Sequence, residues 1–286
     1  MATILDTLNK GSAYLEKHGV EDARLNMQQL LAHVLKCDRM QLYVDFDKPI
    51  DDAALASLRE LTKLRGQGEP LQHLLGTVEF GHLEFKTDSR ALVPRPETEE
   101  LVERLAKLRW KPQSRFIDVG CGSGVIGLSL AYELRELQPT VVLSDVSGDA
   151  LSLAKENAET IDYAPAQVEW LESNLLEKAE GEFDLIVANL PYIPDNERTA
   201  LSREVQRDPD LALYGGELGT EIIEVFLKQC PDRLKTNGVV AIEFGIGQEN
   251  DLYAAAEALG FEKAEIYSDL SEVNRFLFIR NLGKRH

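Results

Sequence analysis

Cysteine is scarce in this chain: Cys37, Cys121 and Cys230 are its three cysteines, far apart, and none falls in a Cys-x-x-Cys spacing. A disulfide framework and a thiolate zinc site are both unsupported, and the three are expected as free thiols. Histidine is nearly as sparse. His18, His33, His73, His82 and His286 show no metal-ligand spacing, so no metal is expected. Positive charge is short too: 31 Lys and Arg face 49 Asp and Glu, a formal net charge of −18. Proteins that hold nucleic acid neutralise phosphates with clustered Lys and Arg, whereas this chain as a whole repels a polyanion. Its most basic stretches, "RLAKLRWKPQSR" and "RNLGKRH", read as solvated helix and tail charges, and no direct nucleic-acid partner is expected. Long apolar runs are missing as well. None approaches the roughly 20 residues of a membrane span, and "MATILDTLNKGSAYLEKHG" has neither the basic start nor the apolar core of a signal peptide. The expected location is the cytoplasm, with no membrane partner. No internal repeat or low-complexity stretch occurs.

What is present is ample for a core: 286 residues, 44% hydrophobic and 28% charged, which suits one large domain with a small companion. In "ILDTLNKGSAYLEKHG", "EDARLNMQQLLAHVLK" and "DDAALASLRELTKLRGQG" apolar residues recur at helical spacing, with breaks at Gly19, Cys37-Asp38 and Pro49. This predicts a small helical bundle over residues 1–70. Short alternating runs around Gly76 and Gly81 predict a hairpin linker over 71–92.

From residue 93 to 286 the pattern changes to strand and helix in turn. Strands are expected at 115–120, 140–145, 166–172, 183–189, 238–245, 261–269 and 275–281. Helical segments such as "GVIGLSLAYELRE", "SGDALSLAKENAETI" and "LGTEIIEVFLKQCPDRLK" separate the first five. Such alternation predicts an α/β, Rossmann-like, mostly parallel sheet with helices on both faces. Only "LSEVN" joins the last two strands, too short for a parallel crossover, so they should form an antiparallel hairpin. A seven-stranded sheet with one reversed strand follows.

"FIDVGCGSGVIGL" follows the first expected strand of that sheet and opens a helix. At Gly120, Gly122 and Gly124 missing side chains let a ligand approach the backbone, and the helix N-terminus offers free N–H groups. Gly122, Gly124 and Gly127 also satisfy G-x-G-x-x-G, so the loop alone does not separate a dinucleotide from S-adenosylmethionine. Asp145 ends the second strand about 20 residues on, where a carboxylate suits ribose hydroxyls. The competing role for Asp145 is a helix cap, but Ser147 and Asp149 already supply that chemistry. Cys121, in the same loop, needs no nucleophilic role.

The fourth strand ends in "NLPY", residues 189–192. In an open parallel sheet ligands sit beyond the carboxyl ends of the strands, which puts Asn189 on the same rim as Gly120 and Asp145. "NLPY" resembles the Asn-Pro-Pro-Tyr signature of methyltransferases that use S-adenosylmethionine to methylate a planar nitrogen, either a glutamine amide or an exocyclic base amine. With "EPLQHLLGTVEFGHLEF", "LVPRPETEELV", "IDVGCGSGVIGLSLA", "SDVSGDALSLAKENA", "DPDLALYGGELG" and "IEFGIGQ", the chain is similar to the release factor glutamine methyltransferase family. That resemblance implies a helical N-terminal domain for substrate recognition ahead of a seven-stranded methyltransferase domain. It implies methyl transfer from S-adenosylmethionine to the glutamine side-chain nitrogen in the Gly-Gly-Gln motif of class I peptide chain release factors. It also implies cofactor contacts at Gly120, Cys121, Gly122, Ser123, Gly124, Asp145, Asn174, Leu175 and Asn189, and substrate contacts at Asn189, Leu190, Pro191 and Tyr192. "PRPETE" is expected over the cofactor, and equally as a helix start with Pro96 in the first turn and Glu97 and Glu99 near the dipole.

A glutamine amide nitrogen is a poor nucleophile, because its lone pair is delocalised into the carbonyl. If the Asn189 side-chain oxygen and the Leu190 carbonyl each accept one of its N–H groups, the nitrogen is held toward the methyl donor and gains negative character. Pro191 biases Leu190 toward an extended backbone, and the Tyr192 ring packs against the planar amide. One departure stands out: the family usually carries proline where this chain has Leu190. Since position 190 is expected to work through its carbonyl, the change should cost rigidity more than chemistry. Asn-Leu-Pro-Tyr also occurs in enzymes that dimethylate adenine in ribosomal RNA, and a ribosomal-protein glutamine methyltransferase subfamily shares the motif. The readings from other classes are a nicotinamide oxidoreductase, which leaves "NLPY" unexplained, and a non-enzymatic adaptor, which would bind cofactor without turnover.

Overall fold

The computed structural model describes residues 2–261 and 263–281; Glu262, and the chain from residue 282 with His286 and the end of "RNLGKRH", lie outside the described residues. The chain divides into two units, Met1–Thr77 with Leu201–Arg207, and Val78–Ala200 with Asp208–His286.

The first unit contains α1 (Ile4–Lys17), α2 (Ala23–Leu35), α3 (Arg39–Val44), α4 (Asp52–Gly66) and α5 (Leu71–Leu75). Side chains start two of them: Thr3 accepts from Asp6 N–H at 3.2 Å and Asp51 from Ala54 N–H at 2.8 Å. The apolar stripe of α1, including Leu8 and Leu15, packs with Met27, Leu30, Leu31 and Leu58 into one buried cluster. Leu201–Arg207 belongs to this unit through charge. The buried Arg65 reaches Glu204 at 2.7 Å and donates to Asn26 Oδ1 at 2.6 Å, while Arg203 donates to the His18 carbonyl. Sequence periodicity places helices along the chain but does not reveal that residues 201–207 fold back onto α4, and α5 lies inside the segment expected as linker.

At the start of the second unit β1 (Thr77–Phe80), whose first residue belongs to the first unit, pairs with β2 (Leu83–Lys86) in a two-stranded sheet. Helix α6 (Pro96–Ala106) follows, and then β3 (Arg115–Val119), α7 (Val125–Glu133), β4 (Thr140–Asp145), α8 (Gly148–Ala158), β5 (Gln167–Glu172) and β6 (Phe183–Asn189). Two very short strands, β7 (Ile193–Pro194) and β8 (Tyr214–Gly216), flank α9 (Asp210–Leu213). The chain closes with α10 (Glu221–Gln229), β9 (Leu234–Glu243), α11 (Glu249–Ala258), β10 (Lys263–Ser268) and β11 (Asn274–Arg280).

Seven strands make one sheet in the order β10-β11-β9-β6-β3-β4-β5. β11 runs antiparallel to both neighbours, so one strand is reversed, as the short "LSEVN" connection requires. Alternate residues point to opposite faces: Phe116, Val141, Leu143 and Leu185 pack with α6, α7 and α8, whereas Ile117, Val142 and Ile186 pack with α10 and α11. With both faces covered, ligand access is left to the carboxyl rim, where Val119, Asp145, Asn189 and Glu243 end their strands.

Candidate functional site

The glycine loop turns sharply off β3. Gly120 and Gly122 have φ of +71° and +54°, backbone that favours glycine. The N–H groups of Gly120 and Cys121 donate to the Ser144 carbonyl at 2.8 and 3.0 Å, stitching the loop to β4. Asp145 accepts from Gly122 N–H through one oxygen and from Ser147 N–H through the other, each at 2.9 Å. Ser147, not Asp145, caps α8, accepting from Ala150 N–H at 3.2 Å. Burial pushes the Asp145 carboxyl up, and the three backbone N–H bonds oppose that. The fully buried Asn157 of α8 donates to the Ser123 carbonyl at 2.9 Å and exchanges hydrogen bonds with the Lys86 backbone, clamping loop and hairpin together.

One cavity lies over this loop. Of the residues expected at the site, Gly120, Cys121, Gly122, Ser123, Asp145, Asn174, Leu175, Asn189, Leu190 and Pro191 line it. Leu92, Pro94, Arg95 and Thr98 of the "PRPETE" region line it as well, while Pro96 starts α6, so that stretch serves both as helix start and as cavity wall. Leu175 has φ of +50°, unusual for a branched side chain, and its turn is held by Leu176 N–H donating to Gln229 Oε1 at 2.8 Å.

Gly124 and Tyr192 are not among the lining residues. Gly124 is a packing glycine: a Cβ there would lie 3.0 Å from both Leu128 and Leu143. Tyr192 is half-buried beside Gly245, where burial and then the Glu243 charge push its phenol up to about 12. The Cys121 thiol is buried, and that burial pushes it well up, which disfavours the thiolate.

The "NLPY" loop is braced from three sides. Gln248 accepts from Gly245 N–H at 2.9 Å and donates to the Tyr192 carbonyl at 2.9 Å. A Cβ on Gly215 would meet the Pro191 carbonyl at 2.5 Å, and one on Gly219 would collide with that of Tyr192. Leu190, expected to act through its carbonyl alone, is 4% exposed and packs into the core. Its side chain thus has a structural role that its backbone neighbours gave no hint of.

Asn189 stands opposite Glu243 in the β6–β9 register. Its Nδ2 donates to Thr98 Oγ1 at 3.1 Å, and Thr98 in turn donates to Glu243 Oε2 at 2.8 Å. Thr98 and Glu243 are each 2% exposed. Burial pushes Glu243 up to about 7, against the hydrogen bonds from Thr98 and Asn189. Thr98, Glu243, Gln248 and Asn157 were not singled out by sequence reasoning, although each lies in a quoted motif segment.

Among the described residues no helix is long and apolar enough to cross a membrane. No group of His, Cys, Asp or Glu among them is arranged to hold a metal ion.

Comparison with known proteins agrees with this layout. Residues 6–76 match the family described as PrmC N-terminal domain, and residues 96–218 match the methyltransferase small domain. A methyltransferase structure from Pyrococcus furiosus shares the fold, with a TM-score of 0.52 at 17% identity, covering 81% of this chain and 99% of that one. The release factor glutamine methyltransferase of Geobacter sulfurreducens is 39% identical over 91% of this chain and 90% of its own length. That of Deinococcus radiodurans is 36% identical over 97% of this chain and 98% of its own. With its helical N-terminal unit, its seven-stranded sheet and its rim motif, the chain belongs to the release factor glutamine methyltransferase family.

Proposed function

We propose that this enzyme transfers a methyl group from S-adenosylmethionine to the glutamine side-chain nitrogen in the Gly-Gly-Gln motif of class I peptide chain release factors. The observation that carries the reading is the orientation of Asn189. Its amide nitrogen is committed to Thr98, which leaves Oδ1 as the acceptor at a cavity shared with Gly120 and Asp145. An acceptor is what an amide nucleophile needs, since its own N–H groups are donors.

The residues present fit the cofactor. Glycines whose missing side chains open the loop, and a buried carboxylate lining the same cavity, suit a nucleoside with vicinal hydroxyls. Gly120, Cys121, Gly122 and Ser123 hold it by backbone, Asp145 by its remaining lone pairs, and Asn174 and Leu175 close the cavity wall. When bound, S-adenosylmethionine supplies an electrophilic methyl group. Asn189 Oδ1 and the Leu190 carbonyl accept the two N–H groups of the glutamine amide, orienting its nitrogen and enriching it in electron density. No strong base is required, because the methylated nitrogen is acidic enough to lose its extra proton to water.

The helical unit contributes to substrate recognition. A groove in it combines Tyr14, Met27 and Leu58 with the cations Lys10, Arg59 and Lys63, a setting for an acidic, partly apolar surface. A release factor as substrate places the enzyme in the cytoplasm. The test is incubation of the purified enzyme with labelled S-adenosylmethionine and either a release factor or undermethylated ribosomal RNA, with mass-spectrometric mapping. Label on the Gly-Gly-Gln glutamine is expected, and label confined to RNA overturns the reading.

A further inference from the structure

A carboxamide has two ends of nearly equal size and opposite hydrogen-bonding sense, so packing alone does not decide which end faces a ligand. At position 189 the decision is functional. With the oxygen toward the cavity Asn189 accepts from an incoming N–H, and with the amino group there it repels that N–H. Something must hold the side chain in the first orientation before substrate arrives.

We infer that Thr98 and Glu243 are positioning residues that fix the amide of Asn189 with its oxygen toward the acceptor amide; this rests on the function proposed above. The direction follows from proton bookkeeping. Once Glu243 is ionised, above about pH 7, its carboxylate donates nothing, so the hydrogen bond at 2.8 Å between Thr98 Oγ1 and Glu243 Oε2 takes the single hydroxyl proton. Thr98 Oγ1 then faces Asn189 as an acceptor only, and the atom opposite it at 3.1 Å must be Nδ2. Turning the amide over would set Oδ1 against an oxygen with no proton to give.

The arrangement is built into the fold at two distant points of the chain. Asn189 and Glu243 are register partners at the ends of adjacent strands, so the backbone ladder sets their spacing. Thr98 enters from the first turn of α6, where Pro96 at the helix start fixes the entry of the chain. Burying a carboxylate is costly, and a fold that needed only to fasten α6 to the sheet would do so with apolar side chains.

Thr98→Val keeps the shape and removes both hydrogen bonds, whereas Thr98→Ser keeps the hydroxyl. Three readouts separate orientation from mere packing: kcat and KM with a release factor, the dissociation constant of S-adenosylhomocysteine by calorimetry, and the Asn189 side-chain NH2 resonances. In protein labelled with ¹⁵N at asparagine, those resonances are assigned by their loss in Asn189→Ala. In Thr98→Val, kcat should fall about 10- to 100-fold with KM and the dissociation constant within about 2-fold. The NH2 pair should move toward free-amide positions, and Thr98→Ser should restore most of the rate and the shifted resonances. Wild-type kcat in Thr98→Val, or NH2 resonances identical to the wild type, would overturn the inference, as would equal impairment of the serine and valine variants. Failure of the wild type to methylate a release factor counts instead against the proposed function, and the NMR arm still decides the orientation.

Discussion

The side chain of Leu190 lies directly over Gly120: a Cβ on that glycine would stand 2.9 Å from Leu190 Cδ2. The "NLPY" loop and the glycine loop are therefore in contact through the Leu190 side chain. Leu190 is also almost fully buried, so its loss leaves a hole between two functional loops.

Leu190→Pro should accordingly retain measurable transfer, since the carbonyl stays, while destabilising the protein. A large-to-small change at a buried leucine costs roughly 2–5 kcal/mol, part of which the stiffer loop offsets. Thermal unfolding should show a drop of several degrees. A variant as stable as the wild type and more active would mean that the leucine side chain contributes nothing.

Asp145→Asn keeps an acceptor but loses the charge that favours ribose hydroxyls. Affinity for S-adenosylhomocysteine should fall by about 1.5–3 kcal/mol, the scale of hydrogen bonds to an ionised group. Calorimetry reads this directly, and an unchanged constant would remove the ribose role from Asp145.

Gly219→Ala tests the bracing of the loop. The new methyl group collides with the Tyr192 carbonyl, at a residue whose φ of +82° already disfavours a side chain. Moving that carbonyl breaks its bond from Gln248, and displacement by about 1 Å at a site of this kind costs up to roughly 100-fold in rate. The expected signature is a fall in kcat with cofactor affinity kept; unchanged kcat would show that the loop needs no such support.

Two buried carboxyls give the enzyme a pH signature. Asp118 accepts from Gly127 N–H at 2.8 Å, yet its burial pushes it up to about 7, and burial does the same to Glu243. Folding raises both above the ordinary carboxylate range, so the native state keeps protons that the unfolded chain has already released. Their contribution is fully present below about pH 4 and is lost as pH rises toward about 7. Asp118→Asn removes its share, so the Tm advantage of the variant over the wild type should grow between pH 5 and 8. A difference independent of pH would show that Asp118 titrates normally.

Much of this was readable from the chain. The seven strands declared themselves as apolar runs between helical patterns, and the brevity of "LSEVN" told which strand must be reversed. Gly120, Asp145 and Asn189 were placed on one rim because parallel strands end together. The Thr98–Glu243 bond was not readable, because it joins residues 145 apart and neither carries a local signal that distinguishes a buried partner from a helix start or a strand end. The packing of the Leu190 side chain was not readable for a related reason. A motif displays which residue stands at a position, whereas packing over Gly120 depends on how two loops meet in space. The bracing of Tyr192 by Gly245 and Gln248 is hidden for the same reason, since those residues lie more than 50 positions away in the chain.

The most direct measurement of the central claim is single-turnover methyl transfer to a purified class I release factor by the wild type and by Asn189→Ala, with S-adenosylhomocysteine affinity measured on both. Orientation by the Asn189 oxygen predicts methylation of the Gly-Gly-Gln glutamine by the wild type. It also predicts a rate lower by about 100-fold or more in the variant, since the acceptor that positions the nucleophile is gone, with cofactor affinity weakened far less. Wild-type turnover by Asn189→Ala, or a loss wholly explained by weaker cofactor binding, would contradict it.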